Sequence, residues 1–283
     1  MIARRSWTDA IPHLVLILGV AVFAFPIYVA LVGSTWDAGT LGRGRLPLVP
    51  GPDGWANYDQ ALFGDRGGRI SYVPVSQMMW NSFVMAMVIT VGKIVISLLS
   101  AYAVAFFRFP GRMVFFWMIF ITLMLPVEVR IVPTFEVISD LGMVNTFAGL
   151  TVPLIASATA TLLFRQFFLT IPDELVEAAK IDGAGPMRFF FDVVLPLSRT
   201  NIAALFVILF IYGWNQYLWP LLVTSTREME TIVIGITKML GTSDAQTDWN
   251  LIMATTILAL LPPVAVVIAM MRTFVKGLVD GDK

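Results

Sequence analysis

The chain has 283 residues, 58% of them hydrophobic and 13% charged, whereas a soluble domain carries about a quarter charged residues. That balance excludes a water-soluble globule, and a net charge of zero offers nothing to nucleic acid or to an acidic surface. There is no cysteine, so disulfides, thiolate chemistry and cysteine metal sites are excluded, and the single His13 reads as an interfacial residue with no second histidine to share a metal.

Long uncharged runs between short polar segments predict an all-α, polytopic helical membrane protein with six transmembrane helices. Met1 to Thr8 is a head bearing Arg4 and Arg5, and Ile11 to Val32 is the first span. Pro26 within it predicts a kink that membrane helices tolerate. The run is too long for a signal peptide and has no small-residue cleavage site before Trp36. Ser34 to Met79 is a Gly- and Pro-rich loop whose Trp36, Trp55, Tyr58 and Tyr72 suit a membrane interface or a partner. Asn81 to Phe107 is the second span, interrupted by Lys93, and Arg108 and Arg112 bracket a tight Phe109-Pro110-Gly111 turn. Met113 to Val127 is a third, short run, to be completed by a Glu128-Val129-Arg130 turn at the interface. Val144 to Phe164, Thr200 to Val223 and Leu251 to Met271 are the fourth, fifth and sixth spans.

These runs divide the chain into residues 1–33 (head and first helix), 34–79 (outer loop), 80–273 (a five-helix core containing a polar loop at 170–199) and 274–283 (tail). Orientation follows from lysine and arginine bias in short loops. With the N-terminus inside, Arg4, Arg5, Arg108, Arg112, Arg165, Lys180, Arg188, Arg199, Arg272, Lys276 and Lys283 are cytoplasmic, against Arg130, Arg227 and Lys238 in the short outer loops. Both termini and the 170–199 loop are then cytoplasmic, and the 34–79 loop is periplasmic.

That loop is the most hydrophilic long segment between two apolar runs. Pro172 suits the first turn of a helix, where its missing N–H is no loss. Asp173 and Glu174 place negative charge at the positive end of the helix dipole. Asp182-Gly183 signals a turn with Gly183 left-handed. Pro186 restarts a helix, Met187 to Val194 is its body, and Pro196 stops it. Ala178 and Ala179 allow close approach of another surface, Glu177 is an exposed anion able to pair with an arginine, and Phe189, Phe190 and Val194 anchor the second limb. The plain alternative is an amphipathic loop resting on the bilayer.

Glu177-Ala178-Ala179, then Gly183 after three residues, then Val193-Val194-Leu195-Pro196, resembles the EAA loop of binding-protein-dependent ABC importer permeases of the maltose type. Val193 stands where isoleucine is usual, and the resemblance extends over essentially the whole chain. It implies a type I importer permease (MetI-like) architecture that is not itself an enzyme. It also implies an ATPase subunit homodimer holding ATP and Mg, a sister permease and a periplasmic substrate-binding protein as partners, with no cofactor in this chain. The coupling residues it implies are Glu177, Ala178, Ala179, Asp182, Gly183, Leu195 and Pro196, and the tail from Val275 reaches toward the ATPase. Phe115–Ile131, Ser157–Phe168, Asp173–Asp182, Ile211–Leu221 and Phe274–Asp280 are similar to the branch of that family carrying sn-glycerol-3-phosphate. A glycerophosphodiester or a neutral sugar is the alternative solute.

Lys93 lies midway along a span, where an ionisable residue is a functional candidate by default. It suits a phosphate in transit, or else an acid partner or a water-filled crevice. Arg130 is a candidate for substrate contact and otherwise a local partner of Glu128. Asn215 and Gln216 line the pathway or bond to neighbouring helices; Trp214 and Trp219 line it or pack. An ion-coupled secondary transporter is the competing class, but no acid lies deep in any span. A membrane enzyme would need a nucleophile and base, or a Walker A run, and neither is present.

Overall fold

The computed structural model describes residues 10–64, 73–122, 125, 127–240 and 247–280, and the described elements are helical. By contacts the chain forms two compact units, Met1–Gln77 with Gly235–Leu261, and Met78–Ile234 with Pro262–Lys283.

In the first unit, α1 (Ala10–Gly33) is 24 residues long, roughly 36 Å at 1.5 Å per residue. It exposes large apolar side chains along most of its length, Phe23 at 82%, the signature of a helix whose solvent is lipid or protein. Pro26 lies within the continuous helix. Among its described residues, the 34–79 segment expected as loop holds two short helices, α2 (Ala38–Gly42) and α3 (Gly54–Phe63). Asp37 caps α2, accepting from the Thr40 N–H at 2.9 Å and the Thr40 hydroxyl at 2.6 Å. Those bonds favour the charged carboxylate and hold its pKa below the usual value. Buried Asn57 on α3 donates to the carbonyls of Ser34 and Trp36 and accepts from Asn250 at 2.8 Å.

The second unit is built around α4 (Val75–Phe106), 32 residues, which begins ahead of the expected Asn81. Small residues set its spacing to neighbours. A Cβ on Gly92 would lie 2.7 Å from the Ile155 side chain, and one on Gly213 would lie 2.9 Å from the Ala86 Cα. This is the close approach that membrane helices obtain from glycine. There follow α5 (Arg112–Ile121) and α6 (Val127–Asp140). Glu128-Val129-Arg130 is therefore the opening of a helix and not a turn that completes the third run, because α6 already begins at Val127.

The fourth run is divided. α7 (Phe147–Thr151) passes through a 3-10 turn at Val152–Leu154, and α8 (Ala158–Phe168) starts at a Ser157 cap after a bend of 45°. The polar loop supplies α9 (Asp173–Ile181), α10 (Pro186–Phe189), a π turn at Phe190–Val194 and α11 (Leu195–Leu197). α12 (Arg199–Trp214) and α13 (Leu218–Val223) occupy the expected fifth span, broken at Asn215–Tyr217. A 3-10 turn at Arg227–Met229 leads to α14 (Ile232–Leu240), then α15 (Trp249–Asp280), which extends beyond the expected end at Met271.

Three described helices are long and apolar enough to cross a membrane, or five if each bent pair counts as one span. Among the described residues the six expected spans are not all separate long helices, because the fourth is bent at Val152–Ser157 and the fifth is broken at Asn215–Tyr217. The second bent pair joins Pro186–Leu197 to α12 at 71°, so one of its arms is the polar loop's second limb.

Candidate functional site: a polar knuckle and a buried cation

The knuckle is built from its ends inward. Pro172, extended at ψ 139°, immediately precedes α9, one residue earlier than expected, and Asp173 and Glu174 occupy the first turn. At the other end Gly183 has φ +70°. Its N–H donates to the Lys180 carbonyl at 3.1 Å, and the Ala184 N–H reaches the Ala179 carbonyl at 2.8 Å. This pair is a Schellman closure, which satisfies carbonyls that the helix end would leave bare.

Glu177, Ala178, Asp182 and Gly183 are exposed, and Ile181 beside them is 87% exposed. Ala179 instead turns inward and packs, with Val176, against a core containing Tyr102, Phe164, Phe168, Phe189, Phe190 and Val194. The two alanines thus divide the work: Ala178 keeps the outer face low, and Ala179 lets α9 sit close to its own core. Burying Phe189 and Phe190 contributes about 1.5–3 kcal/mol each. The Tyr102 hydroxyl adds a bond to the Pro186 carbonyl at 2.7 Å, so the turn stands on a rigid floor.

Pro196 does not stop the second limb. Its ring lacks an N–H for the Asp192 carbonyl and crowds it. The ladder widens instead, and the Leu195 N–H reaches back to Phe190 in a π turn. The chain bends only after Leu197, where the Ser198 hydroxyl donates to the Val194 carbonyl at 2.6 Å. Leu195 and Pro196 are half-buried and line, with Phe191, Arg199, Ile202 and Phe206, a cavity of ≈ 400 Å³. Arg188 and Asp192 on this limb form an exposed 3.3 Å ion pair, of the kind that contributes at most about 1 kcal/mol.

The second cluster lies on α4. Lys93 is 7% exposed, and its Nζ sits 3.9 Å from the Tyr212 ring centroid. Among the described residues no acid forms an ion pair with it, and of the readings open to it the acid partner is not found there; a ring face lies over the ammonium instead. Arg130 is exposed on α6. Gln216 donates to the Tyr212 carbonyl at 3.1 Å. Asn215 is exposed where α12 ends. The Glu128 side chain, the expected partner of Arg130, lies outside the described residues.

Tyr212 escaped the sequence reading. Its available signal was a buried lysine with no deep acid to meet it, and hence a need for an aromatic face. Trp214 and Trp219 are buried. Trp214 stacks on Phe210, and Trp219 donates to the Gly149 carbonyl at 3.1 Å, so both serve packing.

Residues 93–280 match the family described as "Binding-protein-dependent transport system inner membrane component". Over all 283 residues, and over 100% of each relative, the chain is 60% identical to the sn-glycerol-3-phosphate transport system permease protein UgpE of Brucella melitensis. Identity to the protein of that name is 61% in Rhizobium meliloti and 57% in Yersinia pestis, with the same coverage. The fold is similar to that in a crystal structure of a bacterial ABC transporter involved in the import of the acidic polysaccharide alginate. The TM-score is 0.76 at 22% identity, covering 97% of this chain and 99% of that one.

Proposed function

The chain belongs to the family of inner membrane components of binding-protein-dependent transport systems, and we propose that it is a permease subunit of an ATP-driven importer of sn-glycerol-3-phosphate. In this reading the Glu177–Gly183 turn docks on one of two ATPase subunits that hold ATP and Mg. Glu177 pairs with a cation of the ATPase, Ala178 and Gly183 keep the contact face low, and Asp182 lies at its rim. Ala179, Leu195 and Pro196 fasten the turn to the helices it moves. Closure of the ATPase pair pushes the knuckle as one body and rocks the spans between inward- and outward-open states.

Both termini and the knuckle face the cytoplasm of a bacterium. A sister permease completes the pathway, and a periplasmic binding protein delivers solute to the 34–79 and 224–249 segments. Lys93, Arg130, Asn215 and Gln216 line the pathway. The 274–283 tail reaches toward the ATPase, although its side chains lie outside the described residues.

The observation that carries this reading is the exposed Glu177–Gly183 turn on a buried aromatic floor. A loop merely resting on the bilayer has no need of a rigid mount for a protruding acidic turn. The test is uptake of labelled glycerol-3-phosphate by vesicles holding this chain with its ATPase, sister permease and binding protein. Uptake that requires ATP and yields to excess unlabelled glycerol-3-phosphate supports the reading. ATP hydrolysis without glycerol-3-phosphate uptake removes the substrate and keeps the importer.

A further inference from the structure

A buried ammonium is stable only beside a group that offsets its lost hydration. At Lys93 a ring face does so at 3.9 Å, and an aromatic quadrupole offsets a full charge only in part. Among the described residues Lys93 has no carboxylate at ion-pair distance. A buried cation with no counter-ion among the described residues is costly to helix packing, and a bound anion would offset that cost.

The cover over Lys93 is placed to move. Tyr212 is itself 36% exposed, and it sits in the last turn of α12, just ahead of the Asn215–Tyr217 break. Gln216 holds its carbonyl, not its ring.

We propose that Lys93 forms an anion-reading site within this subunit that takes the phosphate monoester group of the solute, with the Tyr212 ring as a cover that the phosphate displaces from Lys93. The inference rests on the reading of this chain as a permease of an organic-phosphate importer. It adds that the permease, and not the binding protein alone, selects for the anion.

Because the chain has no native cysteine, Lys93→Cys places a single thiol at the site. In the reconstituted four-component complex, wild-type uptake of glycerol-3-phosphate is measured first. If the wild type fails, the substrate reading falls on its own. With wild-type uptake in hand, Lys93→Met is expected to lower kcat/KM about 10- to 100-fold, the value of one charge-assisted contact, while the subunits still copurify. Lys93→Arg is expected to retain most of the rate.

In Lys93→Cys, aminoethyl methanethiosulfonate forms a mixed disulfide with loss of methanesulfinate and restores an ammonium at about the original reach. Uptake is expected to return with this reagent and not with the neutral methyl reagent. Glycerol-3-phosphate is expected to slow the labelling, and adding Tyr212→Leu to speed it. Wild-type kcat/KM in Lys93→Met, or equal rescue by the charged and neutral reagents, overturns the site. Should Lys93→Met fail to assemble, the two reagents decide the matter, since both act after assembly. Labelling indifferent to Tyr212 overturns the cover.

Discussion

At the scale of single residues, Gly183 and Asp37 show how local chemistry sets local stability. Gly183 has φ +70° with open space where a Cβ would stand, so a substitution there meets backbone strain and no clash. Gly183→Ala is expected to cost about 1–2 kcal/mol and to speed exchange of the Ala184 amide, which closes onto Ala179, about 5- to 30-fold. Gly183→Asn, a residue that visits the left-handed region more readily, is expected to cost less. Equal exchange in all three proteins would mean that the Schellman closure does not hold the turn.

Asp37 carries a pH dependence whose sign follows from its bonds. Thr40 lowers the folded-state pKa below the ordinary 3.8. The cap therefore contributes fully above that value and is lost as pH falls through the lower folded value. Protection of the Thr40 amide is expected to fall in that acid window, and in Asp37→Asn to become independent of pH. Protection in the native protein that rises as the pH falls would reverse the assignment.

At the scale of elements, glycines and prolines decide where helices touch and where they break. Gly213 faces the Ala86 backbone on α4, at 2.9 Å from where its Cβ would stand. Gly213→Val must push α12 from α4, and the overpacking is expected to cost about 1–3 kcal/mol, read as lower thermal stability of the solubilised protein. An unchanged midpoint would show that the two helices are not held at that distance.

Legibility also divides by element. α1, α4 and α15 were legible because uninterrupted apolar runs have one reading, and the Asp182-Gly183 turn was legible because few residues adopt its backbone. The π turn was not. A proline after Val193-Val194-Leu195 reads as a stop, and only the burial of Phe190 and Val194 in the floor explains why the limb continues past it. Nor was the break at Asn215–Tyr217 legible as a break, since apolar residues continue on both sides of it. Tyr212 could not be assigned to Lys93, because the two lie far apart in sequence and meet only when α4 and α12 pack.

At the scale of the whole molecule, long helices meet lipid or protein, and the exposed acidic Glu177–Gly183 turn stands on a buried aromatic core. In the proposed function Glu177 couples ATP hydrolysis to transport. The most direct test compares ATP-dependent uptake of labelled glycerol-3-phosphate in vesicles carrying the wild-type complex or its Glu177→Lys form at equal membrane abundance. Glu177 is exposed, so the reversal leaves the core intact and the chain inserted. Uptake is expected to be lost in Glu177→Lys while the chain remains in the membrane at normal level. Undiminished uptake in that variant would contradict that coupling.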